Sequence, residues 1–480
     1  MMKVRHLAVA PDVSLQRFGP ISKAIHLRSL LTLPGRSFPS LSNEVVNNVI
    51  LKLRCFRILS LSGCRNLEPL SDSIGELKHL RFLDLSCTSI KRLPNSVSML
   101  CNLQTLKLSG CVELMELPED MYHLINLRHL DISACSNLNV MPRQISDLKS
   151  LQTLSTFIVG EDNGTKIEEL RELSDLHGEL SLQNLQNVAS ATDASEARTP
   201  ALRELKLGVC AKLRLEELPQ KAESIHIGGN NGVESLIEAI NKGQNSFLKK
   251  VHIQNCCSAI TLLPECLPTK LTELEIKCCK KLEFPMQRSH KSSSIRRVTI
   301  RDSCDSLRFF PLDFVPNLIS LDICNCENLE SLGVSSYGDG MLRYLSAISI
   351  YGCPNFASFP KGGLHAPNLT KLRVDGGKKL KKLPEQMRNL LPFLNSLEIS
   401  NCPQLESFPE GGLPSNLNKL CVRNCPKLIA QRMKFVMSPS FRVAEHDNAL
   451  QAALSTGAPQ VISITSLGSK SRHSIGISFM

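Results

Sequence analysis

The segment Phe56-Arg57-Ile58-Leu59-Ser60-Leu61-Ser62-Gly63-Cys64 returns as Leu80-Arg81-Phe82-Leu83-Asp84-Leu85-Ser86. It appears again as Leu103-Gln104-Thr105-Leu106-Lys107-Leu108-Ser109-Gly110-Cys111 and as Leu127-Arg128-His129-Leu130-Asp131-Ile132-Ser133-Ala134-Cys135, at a spacing of 23 or 24 residues. A fixed period of this size restricts the chain more than any local propensity, because one such unit cannot bury its own apolar face and must stack on its neighbours. With the first residue of each apolar-x-apolar pair as marker, units begin at Leu59, Leu83, Leu106 and Leu130, and continue at Leu154, Leu180, Leu205, Ile225, Val251, Leu274, Val298, Leu321, Ile348, Leu372, Leu397 and Leu420, sixteen turns in all. Irregular precursors around Leu7 and Leu31 predict further strands at the first end.

Within each unit the alternation predicts a short strand whose marker residues point inward while those between them point out. The chain then turns, and pairs such as Leu117-Pro118, Met141-Pro142, Phe359-Pro360, Leu383-Pro384 and Phe408-Pro409 pre-set the backbone for its crossing in the opposite layer. Stacking predicts an α/β leucine-rich-repeat solenoid, with a parallel β-sheet on the concave face and loops and short helices on the convex face. Val233, Leu236, Ile237 and Ile240, closed by Gly243, have the spacing of one such helix; a second is expected over 43–53, capped by Ser42. The expected organisation is an irregular capping region over 1–53, regular repeats over 54–160, irregular repeats over 161–204, a second repeat block over 205–430 and a tail without order over 431–480.

The 480 residues are 42% apolar but only 4% aromatic, with no Trp, so the core is built from aliphatic side chains. The longest apolar runs, such as Leu30 to Leu33, fall far short of the ~18 residues a membrane-spanning helix needs. No secretory signal is legible at the start, which predicts a cytoplasmic or nuclear setting. The formal charge of +11 comes without nucleic-acid motifs or stacking aromatics, so no nucleic-acid partner is expected.

Of the 19 Cys, ten share one phase: Cys64, Cys111, Cys135, Cys210, Cys256, Cys279, Cys326, Cys353, Cys402 and Cys425. Each is expected at the bend after a strand, packing as a small, weakly polar side chain. Cys256-Cys257, Cys278-Cys279 and the nearby Cys324 and Cys326 have no matching His/Cys pair at zinc-finger spacing, so no metal site is expected. The twelve His are scattered and no nucleophile elbow or phosphate-cradling loop is present. No catalytic centre and no cofactor are expected, and the class is a binding protein rather than an enzyme.

What remains is the outward set on the strands. It is small or polar in the first block, at Ser60, Asp84, Lys107 and Asp131, and strongly charged in the second. There Lys250, His252, Glu273, Glu275, Lys277, Arg297, Arg301, Lys371, Arg373, Asp375, Lys419 and Arg423 are the candidate partner-binding residues of the concave face. Lys378, Lys379, Lys381 and Lys382 adjoin Lys371 and Arg373 in sequence and make the strongest local positive field, a candidate for an acidic protein surface.

With these residues laid out, the chain resembles the leucine-rich-repeat region of plant intracellular immune receptors of the coiled-coil, nucleotide-binding type. Lys3-Val4-Arg5-His6-Leu7 resembles the junction after the nucleotide-binding module. Ser73-Ile74-Gly75-Glu76-Leu77-Lys78-His79-Leu80 through Leu93-Pro94 resembles the opening repeats. Leu151-Gln152-Thr153-Leu154 with Phe157-Ile158-Val159-Gly160, and Gly178-Glu179-Leu180-Ser181-Leu182-Gln183-Asn184-Leu185, match the landmarks that follow. The resemblance covers about residues 3–430 and implies plant defence, with a pathogen effector, or a host protein it modifies, as partner and a nucleotide-binding receptor module as a second.

Three departures stand out: no coiled-coil or nucleotide-binding module, an apparent deletion of coils after Ala189, and no usual last coil after Met433. An uncovered last coil predicts self-association. A cytosolic scaffold resembling the Ras-binding leucine-rich-repeat proteins shares the Leu-Pro-x-x-Ile-x-x-Leu pattern, but the irregular, Cys-bearing second half argues against it. A secreted receptor ectodomain would show a signal peptide, paired Cys caps and Gly-x-Ile-Pro coils, none of which is legible.

Overall fold

The computed structural model describes residues 4–9, 25–32, 46, 53–65, 67, 69–161, 164–187, 201–209, 222–242, 247–262, 267–283, 294–334, 342–430, 461–466 and 475–478. Two compact units divide the chain, Met1–Leu236 and Ile237–Met480.

In the first unit one sheet runs in sequence order through β1 (His6–Val9), β2 (Ser29–Thr32), β3 (Ile58–Ser60), β4 (Phe82–Asp84), β5 (Thr105–Lys107), β6 (His129–Asp131) and β7 (Thr153–Leu154). β1 and β2 are the strands expected from the precursors around Leu7 and Leu31. All neighbours are parallel, and Leu59, Leu83, Leu106, Leu130 and Leu154 are successive register partners, none more than 1% exposed. These leucines are the shared interior that no single coil supplies.

After each strand a left-handed residue turns the chain: Gly63, Cys87, Gly110 and Ala134. The next residue is Cys64, Thr88, Cys111 or Cys135, all buried. Cys111 Sγ donates to the Leu85 carbonyl at 3.0 Å and Cys135 Sγ to that of Leu108 at 3.1 Å, while Thr88 Oγ1 donates to the Leu85 carbonyl at 2.7 Å. Thr in place of Cys shows what the position needs, a small side chain with a donor for a strand carbonyl.

The opposite layer is more regular than the sequence predicts. Short 3-10 turns at Asp72–Glu76, Asn95–Met99, Glu119–His123 and Ile145–Asp147 bury Ile74, Val97, Met121 and Ile145. Each is closed by a leucine amide, Leu77, Leu100, Leu124 or Leu148, bonded to that residue's carbonyl. Between coils, Asn102 and Asn126 donate to the carbonyls of Lys78 and Cys101, each at 2.8 Å.

A second sheet of this unit takes up the chain at β8 (Thr156–Ile158) and continues through β9 (His177–Gln183), β10 (Ala201–Val209) and β11 (Ser224–Gly228), again all parallel. The sixteen-turn count does not contain β8. Two residues separate Leu154 from Phe157, where one separates their counterparts Leu180 and Leu182, so Ser155 is an inserted residue that interrupts the ladder as a bulge does.

Helix α1 (Asn230–Asn241) is the helix the spacing predicts, with Val233, Leu236, Ile237 and Ile240 all buried. The helix expected over 43–53 falls, for nearly all its length, outside the described residues, as do Gly243 and Cys210.

The second unit carries β12 (Lys250–Gln254), β13 (Glu273–Lys277), β14 (Arg297–Arg301), β16 (Ser320–Cys324), β18 (Ala347–Tyr351), β19 (Lys371–Asp375), β20 (Ser396–Ser400) and β21 (Lys419–Arg423) as one parallel sheet. Two inward columns run through it, from Val251 to Leu420 and from Ile253 to Val422, every member a buried aliphatic. The two other strands, β15 (Phe309–Pro311) and β17 (Ser331–Gly333), pair with each other elsewhere. Short helices α2 (Met387–Leu390) and α3 (Pro426–Ala430) complete the described residues of the coils.

The end of the chain departs from expectation. Residues 431–480 are predicted to lack order and to leave the last coil uncovered. Instead β22 (Val461–Ser466) pairs antiparallel with β21, and β23 (Ile475–Ser478) antiparallel with β22. The run Val461-Ile462-Ser463-Ile464-Thr465 is rich in β-branched residues, a strand preference that the tail's overall composition hides, and it gives partners to β21's free amides and carbonyls.

Candidate functional site

Period-2 alternation leaves three rows of outward residues on the sheet of the second unit, and parallel register sets each residue beside its counterpart on the next strand. The first row begins Lys250, Glu273, Arg297; the second begins His252, Glu275, Thr299; the third begins Gln254, Lys277, Arg301. All twelve sequence-predicted residues stand in these rows, on β12, β13, β14, β19 and β21. They do not form a uniform basic patch.

At one end Glu273 lies between Lys250, 3.7 Å away, and Arg297, 3.0 Å away. Glu275 is paired with His252 and, at 2.7 Å, with Lys277. Burial works against ionisation of both glutamates, yet the Arg297 hydrogen bond at Glu273 and the Lys277 hydrogen bond at Glu275, with the surrounding positive charge, hold both carboxyls below their ordinary 4.5. Such cross-strand opposite charges stabilise a sheet by roughly 0.2–1 kcal/mol a pair.

A second group forms around Glu398, which the sequence analysis did not single out. It pairs with Lys419 at 2.5 Å and with Arg373 at 3.8 Å. The Lys419 hydrogen bond holds its carboxyl low against the weaker opposing effect of burial. The Arg373 guanidinium also lies 5.8 Å from the centre of the Tyr351 ring, within cation–π range. Alternation in Leu397-Glu398-Ile399 marks Glu398 as outward; that it falls between Arg373 and Lys419 is a property of three coils together.

Between the two groups the outward residues are mostly small and weakly charged, Thr299, Ser320, Ala347 and Ser349 around the carboxylate of Asp322, with Cys324 and the exposed Tyr351 along the third row. Of the remaining predicted residues, Asp375 accepts from Asn401 Nδ2 at 2.8 Å, while Arg301, Lys371 and Arg423 have no ion pair among the described residues. The result is two ion-paired clusters, each with one more Lys or Arg than carboxylates, on either side of mostly small outward residues, with single cations left over.

The first unit shows a smaller version. Lys206 lies 3.0 Å from Glu204 and 3.5 Å from Glu179, and His226 lies 3.1 Å from Glu204. Their strands carry the markers Leu180, Leu205 and Ile225, which are register partners, but the sequence analysis did not single these charges out. Ser60, expected outward, is covered: it meets Thr32 Oγ1 at 3.2 Å and donates to Asp84 Oδ2 at 3.3 Å.

The phased cysteines that are described are all buried free thiols. Burial pushes Cys64, Cys135 and Cys326 up to about 12 and Cys279 and Cys353 to about 11, so they remain protonated and inert as nucleophiles. Among the described residues no group of three or more His, Cys, Asp or Glu is arranged to hold a metal ion, and no helix is long and apolar enough to cross a membrane.

A family profile described as a leucine-rich repeat region matches residues 26–283. An Arabidopsis thaliana protein named for disease resistance, At3g14460, is 55% identical over 157 residues, which are 33% of this chain and 11% of that protein. Arabidopsis thaliana RPP13-like protein 1, likewise named for disease resistance, is 45% identical over 177 residues, 37% of this chain and 17% of that one. The chain thus matches well under a fifth of the length of either relative. Among solved structures, the leucine-rich-repeat protein LIC12759 of Leptospira interrogans aligns with 85% of this chain and 92% of its own at a TM-score of 0.49 and 18% identity.

Proposed function

This chain belongs to the leucine-rich repeat region family, and on that footing we propose that it is the protein-recognition module of a plant disease-resistance receptor, sensing a pathogen effector or a host protein the effector modifies. The relatives named for disease resistance support the plant-defence part of this reading. The observation that carries the recognition part is the outward face of β12 to β21, where charged clusters at Glu273/Glu275 and Glu398 flank mostly small side chains. Fixed charges of alternating sign select a partner by complementarity and penalise a mismatched one. Small side chains between them let a partner approach the sheet closely.

The module works in the cytoplasm or nucleus, alone or beside a nucleotide-binding receptor module, and performs no chemistry of its own. Proximity labelling in plant tissue with and without pathogen tests it. Recovery of an effector, a defence-linked host protein or a receptor module, lost in a chain carrying Arg297→Ala and Arg373→Ala, is the expected result. Recovery of the same proteins by both chains would remove the sheet face from the reading, and recovery of none of the three classes would overturn it.

A further inference from the structure

Among the described residues of the second unit, the longest run of charge without ion pairs lies off the sheet face, on the coil that follows β19. Lys378, Lys379, Lys381 and Lys382 are all exposed, and none has an ion pair among the described residues. Their backbone is held firmly. Leu380 and Leu383 are buried beneath it, the Glu406 amide donates to the Lys381 carbonyl at 3.0 Å, and Lys382 forms a bridge with Ser407.

Elsewhere on the coils of this unit some cations in such positions find a partner one coil away, as Arg308 finds Glu330 at 3.3 Å and Lys427 finds Gln404, while the shorter pair Lys280 and Lys281 has no ion pair among the described residues. Beside the four lysines the equivalent positions hold Pro354, Asn355, Ala357 and Ser358 on the preceding coil and Pro403, Gln404 and Ser407 on the next. Glu406 is the one carboxylate among these equivalents, and it pairs with none of the four. The positive field is therefore not neutralised by the fold.

We propose that this coil docks an extended, acidic segment of a partner protein, through a face separate from the sheet and independent of what the sheet binds. Four ammonium groups within five residues, two on the turn at Lys378 and Lys379 and two on the chain that enters the Lys382 bridge, match carboxylates spaced along an extended partner chain at ~3.3 Å per residue. Lysine is a flexible point charge suited to carboxylates without a fixed geometry. A nucleic-acid strand is disfavoured because no aromatic ring stands among the lysines to stack its bases. A lipid surface is disfavoured because the flanking residues offer no exposed aromatic or aliphatic side chain to insert, and stable membrane anchoring needs a second signal. The ordered backbone spares the partner the cost of fixing the coil.

The test is fluorescence anisotropy of a dye-labelled octaglutamate peptide with the full chain. Replacing all four lysines by Ala is expected to weaken binding by about tenfold or more, whereas the four-Arg variant keeps it and added salt weakens it. Lys280→Ala with Lys281→Ala, another exposed pair in this unit, leaves binding unchanged. Unaltered affinity in the four-Ala chain overturns the proposal, as does loss in the four-Arg chain, or equal loss in the control pair, which would make the effect one of net charge. Tighter lysine-dependent binding of phosphatidylserine vesicles or single-stranded RNA than of the peptide overturns it too.

Discussion

The buried amide of Ile132 donates to the hydroxyl of Ser155 at 2.8 Å, and there the first sheet of the amino-terminal unit gives way to the second. The inserted Ser155 breaks the regular ladder, and its side chain supplies the acceptor that a strand carbonyl would otherwise provide. Ser155→Ala should leave that amide unsatisfied at a cost of about 1–3 kcal/mol, lowering hydrogen-exchange protection at Ile132. Unchanged protection would show that the hydroxyl does not hold this junction.

Inside and outside are separable by paired substitutions. Leu130 is 1% exposed between Leu106 and Leu154, so Leu130→Asp buries a carboxylate in the stacked core and should cost several kcal/mol. Arg373→Ala, on the outward row, should change stability by about 1 kcal/mol or less. Urea midpoints of the two variants check this, and equal losses would invert the assignment.

The ionic clusters predict an acid limb. Glu273, Glu275 and Glu398 titrate below their ordinary 4.5 in the folded chain. A carboxyl whose folded value is depressed stabilises the fold above its unfolded value and loses that contribution as pH falls through the folded one. Stability should therefore drop below pH 4.5, and the drop should shrink in Glu275→Gln and Glu398→Gln. A urea midpoint falling equally steeply in these variants would place the acid sensitivity elsewhere.

Thiol labelling should sort the cysteines by phase. Cys55, Cys87, Cys101, Cys257 and Cys278 are exposed and should take up iodoacetamide in the native chain at about pH 8. Cys64, Cys135, Cys279, Cys326 and Cys353, buried and pushed up to about 11 or 12, should react only after denaturation, as peptide mass spectrometry would reveal.

A glycine tests the turn geometry. Gly363 has φ +103, and a Cβ there would stand 2.5 Å from the Glu385 carbonyl oxygen. Gly363→Ala combines a disfavoured dihedral with a backbone clash and should cost roughly 1–3 kcal/mol. A thermal midpoint within error of the parent would mean that the coil shifts freely.

The repeat period and its two-residue alternation were enough to assign the strands of the regular coils, their inward aliphatic residues and the phased buried cysteines, though not Cys304 and Cys421, which are buried outside that phase. Those features depend only on residues within one coil and on the fact that the coil recurs. They also placed all twelve candidate charges on one sheet face. Ion pairing needed the register: Glu398 reads as one more outward residue until β19 and β21 bring Arg373 and Lys419 against it. The sheet break at Ser155 was hidden because one inserted residue is invisible to a pattern that tolerates irregular spacing, and the tail strands because overall composition masks a short β-branched run.

What the sequence determined by itself is therefore the unit: strand, left-handed turn, buried thiol or hydroxyl, and crossing. Its aliphatic teeth cannot be buried in any way but against copies of themselves. Only the tertiary structure decided which charges pair with one another, which have no ion pair among the described residues and what pairs with the last strand, because these are contacts between residues about two dozen positions or more apart and depend on how each coil is registered on the next.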